Sequence, residues 1–91
     1  MVAGRADPNP RALFGRNLRR LRLTSGISQE ELGFRANLDR TYVSSVERGH
    51  RNISIDNIFR IASALGCDPR ELLDPHPQAQ PRQARGRPIS R

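Results

Sequence analysis

The sequence predicts an all-α fold, a compact bundle of five short helices over residues 10–74 with disordered termini on either side. Three observations carry this expectation. Apolar residues recur three and four positions apart in successive stretches, the spacing of one helix face. A capping residue stands before each stretch: Asn9, Ser28, Asp39, Ser54 and Asp68. Gly26, Asn37, Gly49 and Gly66 stand where helices should stop, because glycine and asparagine tolerate the left-handed backbone of a helix end.

The first helix is expected over about 10–24, with Asn9 as cap and Pro10 at the first helical position. Leu13, Phe14, Leu18 and Leu21 form its inner face, and Arg16, Arg19, Arg20 and Arg22 fill the other. Those arginines read either as a solvated face or, for one or two, as phosphate contacts. Ser28-Gln29-Glu30-Glu31 is a capping box, in which Ser28 accepts from the Glu31 amide and Glu31 accepts from the Ser28 amide. It opens a second helix over 29–36 that buries Leu32 and Ala36. Gly33 inside that helix costs about 1 kcal/mol against alanine, so a close helix crossing is expected there.

Asn37-Leu38-Asp39 makes a tight turn, with Asp39 capping a third helix over 40–48. Val43 and Val46 face inward. Arg40, Thr41, Ser44, Ser45 and Arg48 share the outward face, small in the middle and positive at both ends. Small side chains let a helix lie deep in a groove. His50-Arg51-Asn52 is a polar loop. The fourth helix, 55–65, places Ile55, Ile58, Ile61, Ala62 and Leu65 on one face. The fifth, 69–73, starts at Asp68-Pro69-Arg70-Glu71 and contributes Leu72 and Leu73. From Pro75 onward the chain is rich in Pro, Gln and Arg without apolar period, and is expected to be disordered.

Charge narrows the function classes less than its total implies. The net charge is +7, and all 16 basic residues are arginine. Residues 10–74 hold 11 arginines against 8 acids, hence +3, while residues 75–91 hold four arginines and no acid, hence +4. Most of the excess therefore belongs to the tail, and the motif must carry any claim of DNA binding. No apolar run approaches the length of a bilayer crossing, and residues 1–9 lack the apolar core of a secretory signal, so a cytoplasmic location is expected. Cys67, the single cysteine, reads as a small buried or half-buried residue, with an intermolecular disulfide or redox role as the lesser alternative, and no metal-ligand set or cofactor motif is present. His50 and His76 fall in loop and tail, with no arrangement for nucleophilic catalysis, so an enzyme is not expected.

Residues 28–49 form the unit around which the rest is organised: a short helix, a tight turn and a second short helix. With Leu18-Arg19-Arg20-Leu21-Arg22, Val46-Glu47-Arg48-Gly49, Ile61-Ala62-Ser63-Ala64-Leu65-Gly66 and Pro69-Arg70-Glu71-Leu72-Leu73 at these spacings, the chain resembles the Cro/repressor-type (XRE) helix-turn-helix regulators. The likeness spans Phe14 to Leu73. Asn37 to Ser44, with Glu47-Arg48 and Arg51-Asn52, is most similar to the controller proteins of restriction–modification systems.

That resemblance implies a lambda-repressor-like DNA-binding domain, dimeric on a partly palindromic double-stranded operator, with no small-molecule ligand evident. It implies base contacts from Arg40, Thr41, Ser44 and Ser45, and backbone contacts from Gln29, Tyr42, Arg48, Arg51 and Asn52. It also implies a structural ion pair between Arg22 and Glu47. Arg40 suits guanine O6 and N7. Thr41 can offer its methyl to thymine or its hydroxyl to a base or phosphate, and Tyr42 can equally be a packing residue. Phe34 departs from the family pattern on the outer face of the second helix. Phe59 either completes the core or forms a dimer contact with Leu73. The expected function is sequence-specific transcriptional regulation. The alternatives are an antitoxin-like module that binds a partner protein and its own promoter, and nonspecific binding through the tail.

Overall fold

Five helices account for the regular structure of the computed structural model, which describes residues 9–76: α1 (Pro10–Ser25), α2 (Gln29–Ala36), α3 (Arg40–Glu47), α4 (Ile55–Leu65) and α5 (Pro69–Leu73). Residues 1–8 and 77–91, the expected arm and most of the expected tail, lie outside the described residues. No helix among the described residues is long and apolar enough to cross a membrane.

Each start is capped as its sequence dictates. The Asn9 side chain accepts from the amides of Arg11 and Ala12, Ser28 from Glu31, Asp39 from Thr41, Ser54 from Asn57 and Asp68 from Arg70. The stops follow too, with Gly26, Asn37 and Gly66 left-handed at the ends of α1, α2 and α4. Two expectations need correction. The third helix ends at Glu47, with Arg48 as its C-cap, and the left-handed residue is Gly49, one position later (φ +78°). Only half of the capping box at α2 forms: Ser28 Oγ takes the Glu31 amide at 2.9 Å, while the Glu31 carboxylate turns to Arg35 at 2.8 Å. A charged partner one turn along competes better for a carboxylate than a neutral amide does.

One apolar side chain from each helix is fully buried: Leu18, Leu32, Val43, Ile61 and Leu72. Phe14, Ala36, Val46 and Ala62 complete the core, and Leu21, Ile27, Leu38 and Tyr42 lean on it. Ile55 does not join the inner stripe of α4: it is 71% exposed, and Phe59, one turn on, is 58% exposed. The core is already closed over α4 by Ile61 and Ala62, with Ile58 and Leu65 partly buried against it. Phe34 (82% exposed) stands out from α2.

The angle between the helices is set where backbones meet. A β-carbon on Gly15 would lie 2.5 Å from the Glu47 carbonyl oxygen and 2.6 Å from that of Val46, so α1 crosses the end of α3 backbone to backbone. A β-carbon on Gly33 would lie 2.5 Å from the Leu38 carbonyl oxygen. The close approach expected at Gly33 therefore exists, and the turn fills it more than the body of α3. The Leu38 amide returns to the Gly33 carbonyl at 2.8 Å, which fixes the turn. Asn17, buried on α1, donates through Nδ2 to the carbonyls of Leu72 and Asp74 at 2.9 Å each, holding the end of α5 against the bundle.

Candidate nucleic-acid interface

Helix α3 presents an outward face without a carboxylate beyond its cap. Arg40, Thr41 and Arg48 are exposed, and Ser44 and Ser45 are half-buried between them. The helix's own acid, Glu47, points inward. Its Oε2 accepts from Arg22 Nε, and its Oε1 accepts from Arg22 Nη2 at 3.1 Å and Gln29 Nε2 at 3.0 Å. The side chains of Arg22 and Glu47 are 8% and 3% exposed. The pairing expected between Arg22 and Glu47 is present, and it reaches further than expected. Arg22 Nη1 also donates to the Ile27 carbonyl at 2.9 Å, so one guanidinium ties α1, the entry to α2 and the end of α3 together.

Gln29, the first residue of α2, is thereby fixed beside the end of α3. One amide hydrogen goes to Glu47, and the other and the carbonyl remain for an external partner. The first amides of α2 point the same way as the positive end of that helix, which favours an anion such as phosphate.

At the other end of α3, Asp39 holds the first turn. Its Oδ1 accepts from the Thr41 amide and from Thr41 Oγ1, both at 2.8 Å. These hydrogen bonds, first from the amide and then from the hydroxyl, lower the Asp39 pKa below its ordinary value. Tyr42 is half-buried. Its hydroxyl accepts from Asn57 Nδ2 at 3.1 Å, and the Arg51 guanidinium lies 4.9 Å from its ring centroid. That stacking brings the loop arginine onto the flank of α3. Arg51, Tyr42, Thr41, Ser45 and Asp39 line one concave surface of about 450 Å³. On the opposite flank Arg48 Nη1 donates to Ser44 Oγ. Asn52 lies exposed in the loop beyond.

The arrangement gathers Arg40, Thr41, Tyr42, Ser44, Ser45 and Arg48 on one helix, with Arg51 and Gln29 fixed against its two ends. Phe59 and Leu73 are exposed on α4 and α5, away from α3 in sequence. Sequence reasoning missed Gly15, Asn17 and the Gln29–Glu47 bond, because each is defined by a partner 18 or more positions away. A glycine and an asparagine amid the arginines of α1 were the available signals. Among the described residues no group of three or more His, Cys, Asp and Glu is placed to hold a metal ion.

Comparison with known proteins bears on this geometry. A helix-turn-helix family model (HTH_3) matches residues 18–72. The chain is 54% identical over 67 residues to control protein C.BamHI of Bacillus amyloliquefaciens, covering 72% of this chain and 83% of that protein. It is 49% identical over 65 residues to a hypothetical transcription factor of Neisseria meningitidis, covering 71% of this chain and 61% of the other. Among solved structures, the restriction–modification controller protein C.AhdI of Aeromonas hydrophila superposes with a TM-score of 0.67 at 53% identity, covering 68% of this chain and 94% of that one.

Proposed function

The chain belongs to the helix-turn-helix family of transcription regulators, and on that premise we propose that it binds an operator as a homodimer, with α3 in the major groove. The observation that carries this reading is the outward face of α3. It is positive at both ends, small in the middle, and relieved of its own acid by Arg22 and Gln29. Left facing outward at the end of α3, the Glu47 carboxylate would meet phosphate at close range. Glu47 instead spends its charge inside the protein and stiffens the unit that presents the helix.

In this reading Arg40, Thr41, Ser44 and Ser45 meet base edges. Arg40 donates to guanine O6 and N7, the commonest specific contact. Gln29, Tyr42, Arg48, Arg51 and Asn52 meet the sugar-phosphate backbone and set the register. The homodimer uses the apolar surface of α4 and α5, where Phe59 and Leu73 stand more than half exposed. Ile55, one turn before Phe59, extends that surface. A folded part of this size buries a modest share of its surface, and dimerisation stabilises it further. The narrower role is that of a controller of a restriction–modification system, supported by the identity to C.BamHI and C.AhdI. Such a regulator acts where the chromosome is, in the cytoplasm.

Selection of bound sequences from random double-stranded DNA tests the proposal. The expected result is a partly symmetric site whose half-site centres lie about 34 Å apart, one helical turn. A pool without preferred sequence, with binding set by length and salt alone, would overturn it.

A further inference from the structure

Asp39 and Thr41 are joined twice, and the second bond has a consequence for recognition. Asp39 Oδ1 accepts the Thr41 amide hydrogen, which is the ordinary work of a helix cap, and it also accepts from Thr41 Oγ1 at 2.8 Å. A hydroxyl has one hydrogen. With that hydrogen given to the carboxylate, Thr41 Oγ1 shows only lone pairs to anything else. The carboxylate itself can only accept when ionised, and the same two bonds from Thr41 hold it ionised. Both residues are exposed and open onto the concave surface beside Tyr42 and Arg51. The pair is therefore a patch of hydrogen-bond acceptors at the very start of α3.

Phosphate oxygens also only accept, so they cannot satisfy this patch. In the major groove the hydrogen-bond donors on base edges are the exocyclic amines, cytosine N4 and adenine N6. We propose that the Asp39–Thr41 pair is a specificity determinant that requires an exocyclic amino group, on cytosine or adenine, at one position of each half-site. The inference rests on the reading that α3 lies in the major groove with Thr41 at a base edge. It goes beyond that reading by fixing which way the hydrogen bond runs and by giving Asp39 a part in it. The neighbouring Arg40 has donors only, so adjacent residues of one turn demand opposite patterns: acceptors on DNA for Arg40, a donor for Thr41.

The test measures affinity on the selected operator for four proteins: wild type, Thr41→Val, Thr41→Ala and Asp39→Gly. Valine keeps the shape and a methyl group but lacks the hydroxyl, and glycine is tolerated as a helix cap. At the position where Thr41→Val flattens the preference, the amino group alone is deleted from the base, with purine in place of adenine or 2-pyrimidinone in place of cytosine. Wild type should lose about fivefold in affinity, the worth of one net hydrogen bond. Thr41→Val should lose no more than it has already lost. Asp39→Gly, which frees the hydroxyl to rotate, should tolerate a keto-bearing base there.

Two results overturn the proposal and are told apart. If Thr41→Val is neutral at every position while Thr41→Ala shifts one, the methyl group does the reading, and the hydroxyl polarity is irrelevant although α3 still reads bases. If both variants are neutral, Thr41 does not meet a base at all, and its placement in the groove fails with the inference.

Discussion

Gly15 and Glu47 show how single residues position α3, the helix of the proposed interface. Gly15→Ala places a β-carbon within 2.6 Å of two carbonyl oxygens of α3, all of them backbone that cannot swing aside. Helix propensity alone favours alanine by up to about 1 kcal/mol, but overpacking a tight crossing costs about 1–3 kcal/mol. Urea denaturation of Gly15→Ala should therefore show a net loss of stability, and a gain would mean that the two helices are not in backbone contact. Glu47→Ala acts on charge. It strands Arg22, whose side chain is 8% exposed, without its partner. Removing one member of a buried pair costs about 3–5 kcal/mol, a large part of what a domain of this size has. Replacing Arg22 and Glu47 together with apolar residues should restore much of that stability, yet leave Gln29 unanchored. Recovery of stability without recovery of DNA affinity would separate the structural role of the pair from its positioning role.

At the scale of elements, the starts and stops were legible because caps are local. Asn9, Ser28, Asp39, Ser54 and Asp68 each act on amides two or three positions away, within reach of a sequence reading. What the sequence did not disclose was which face of a helix another helix covers. Ile55 sits at the right spacing for the α4 stripe but in its first turn, beyond the rim of the core, so its periodicity promised a burial that packing does not supply. Asn17 stood out only as an asparagine amid the arginines of α1, and nothing local named its partners, which are carbonyls at the far end of the fold. Within the candidate site, the identity of the outward residues of α3 was legible, whereas their mutual hydrogen bonds were not. The cap of α3 carries a pH dependence of definite sign. Asp39 has its folded pKa lowered by the Thr41 amide and hydroxyl, so its contribution is present above the ordinary value of 3.8 and is lost as pH falls through the lower folded value. The Thr41 amide resonance should report this loss in acid for wild type. Asp39→Asn, an uncharged cap, should remove the transition, and a transition that persists in the variant would assign it to another carboxylate.

At the scale of the whole molecule, the proposed function divides the tasks among the apolar surface of α4 and α5, the tail sequence and α3. The apolar side chains Phe59 and Leu73 are exposed in the single chain, so their truncation should leave the monomer folded. In the proposed dimer they are central, and Phe59→Ala with Leu73→Ala should weaken self-association by about tenfold or more, as loss of an interface anchor does. Sedimentation equilibrium measures this, and an unchanged dimer constant would place the interface elsewhere. In the proposed reading the tail adds charge rather than sequence preference. Deleting residues 75–91 removes four arginines, and the slope of log affinity against log salt should fall in magnitude by up to about 3.6. The selected sequence should not change. The central claim concerns α3, and Arg40→Ala tests it most directly through the ratio of its affinities for the selected operator and for random DNA. The account predicts a loss of about 1–3 kcal/mol on the operator and little on random DNA, so that the ratio collapses. An equal loss on both would make Arg40 a phosphate contact and contradict the assignment of α3 as the helix that reads the sequence.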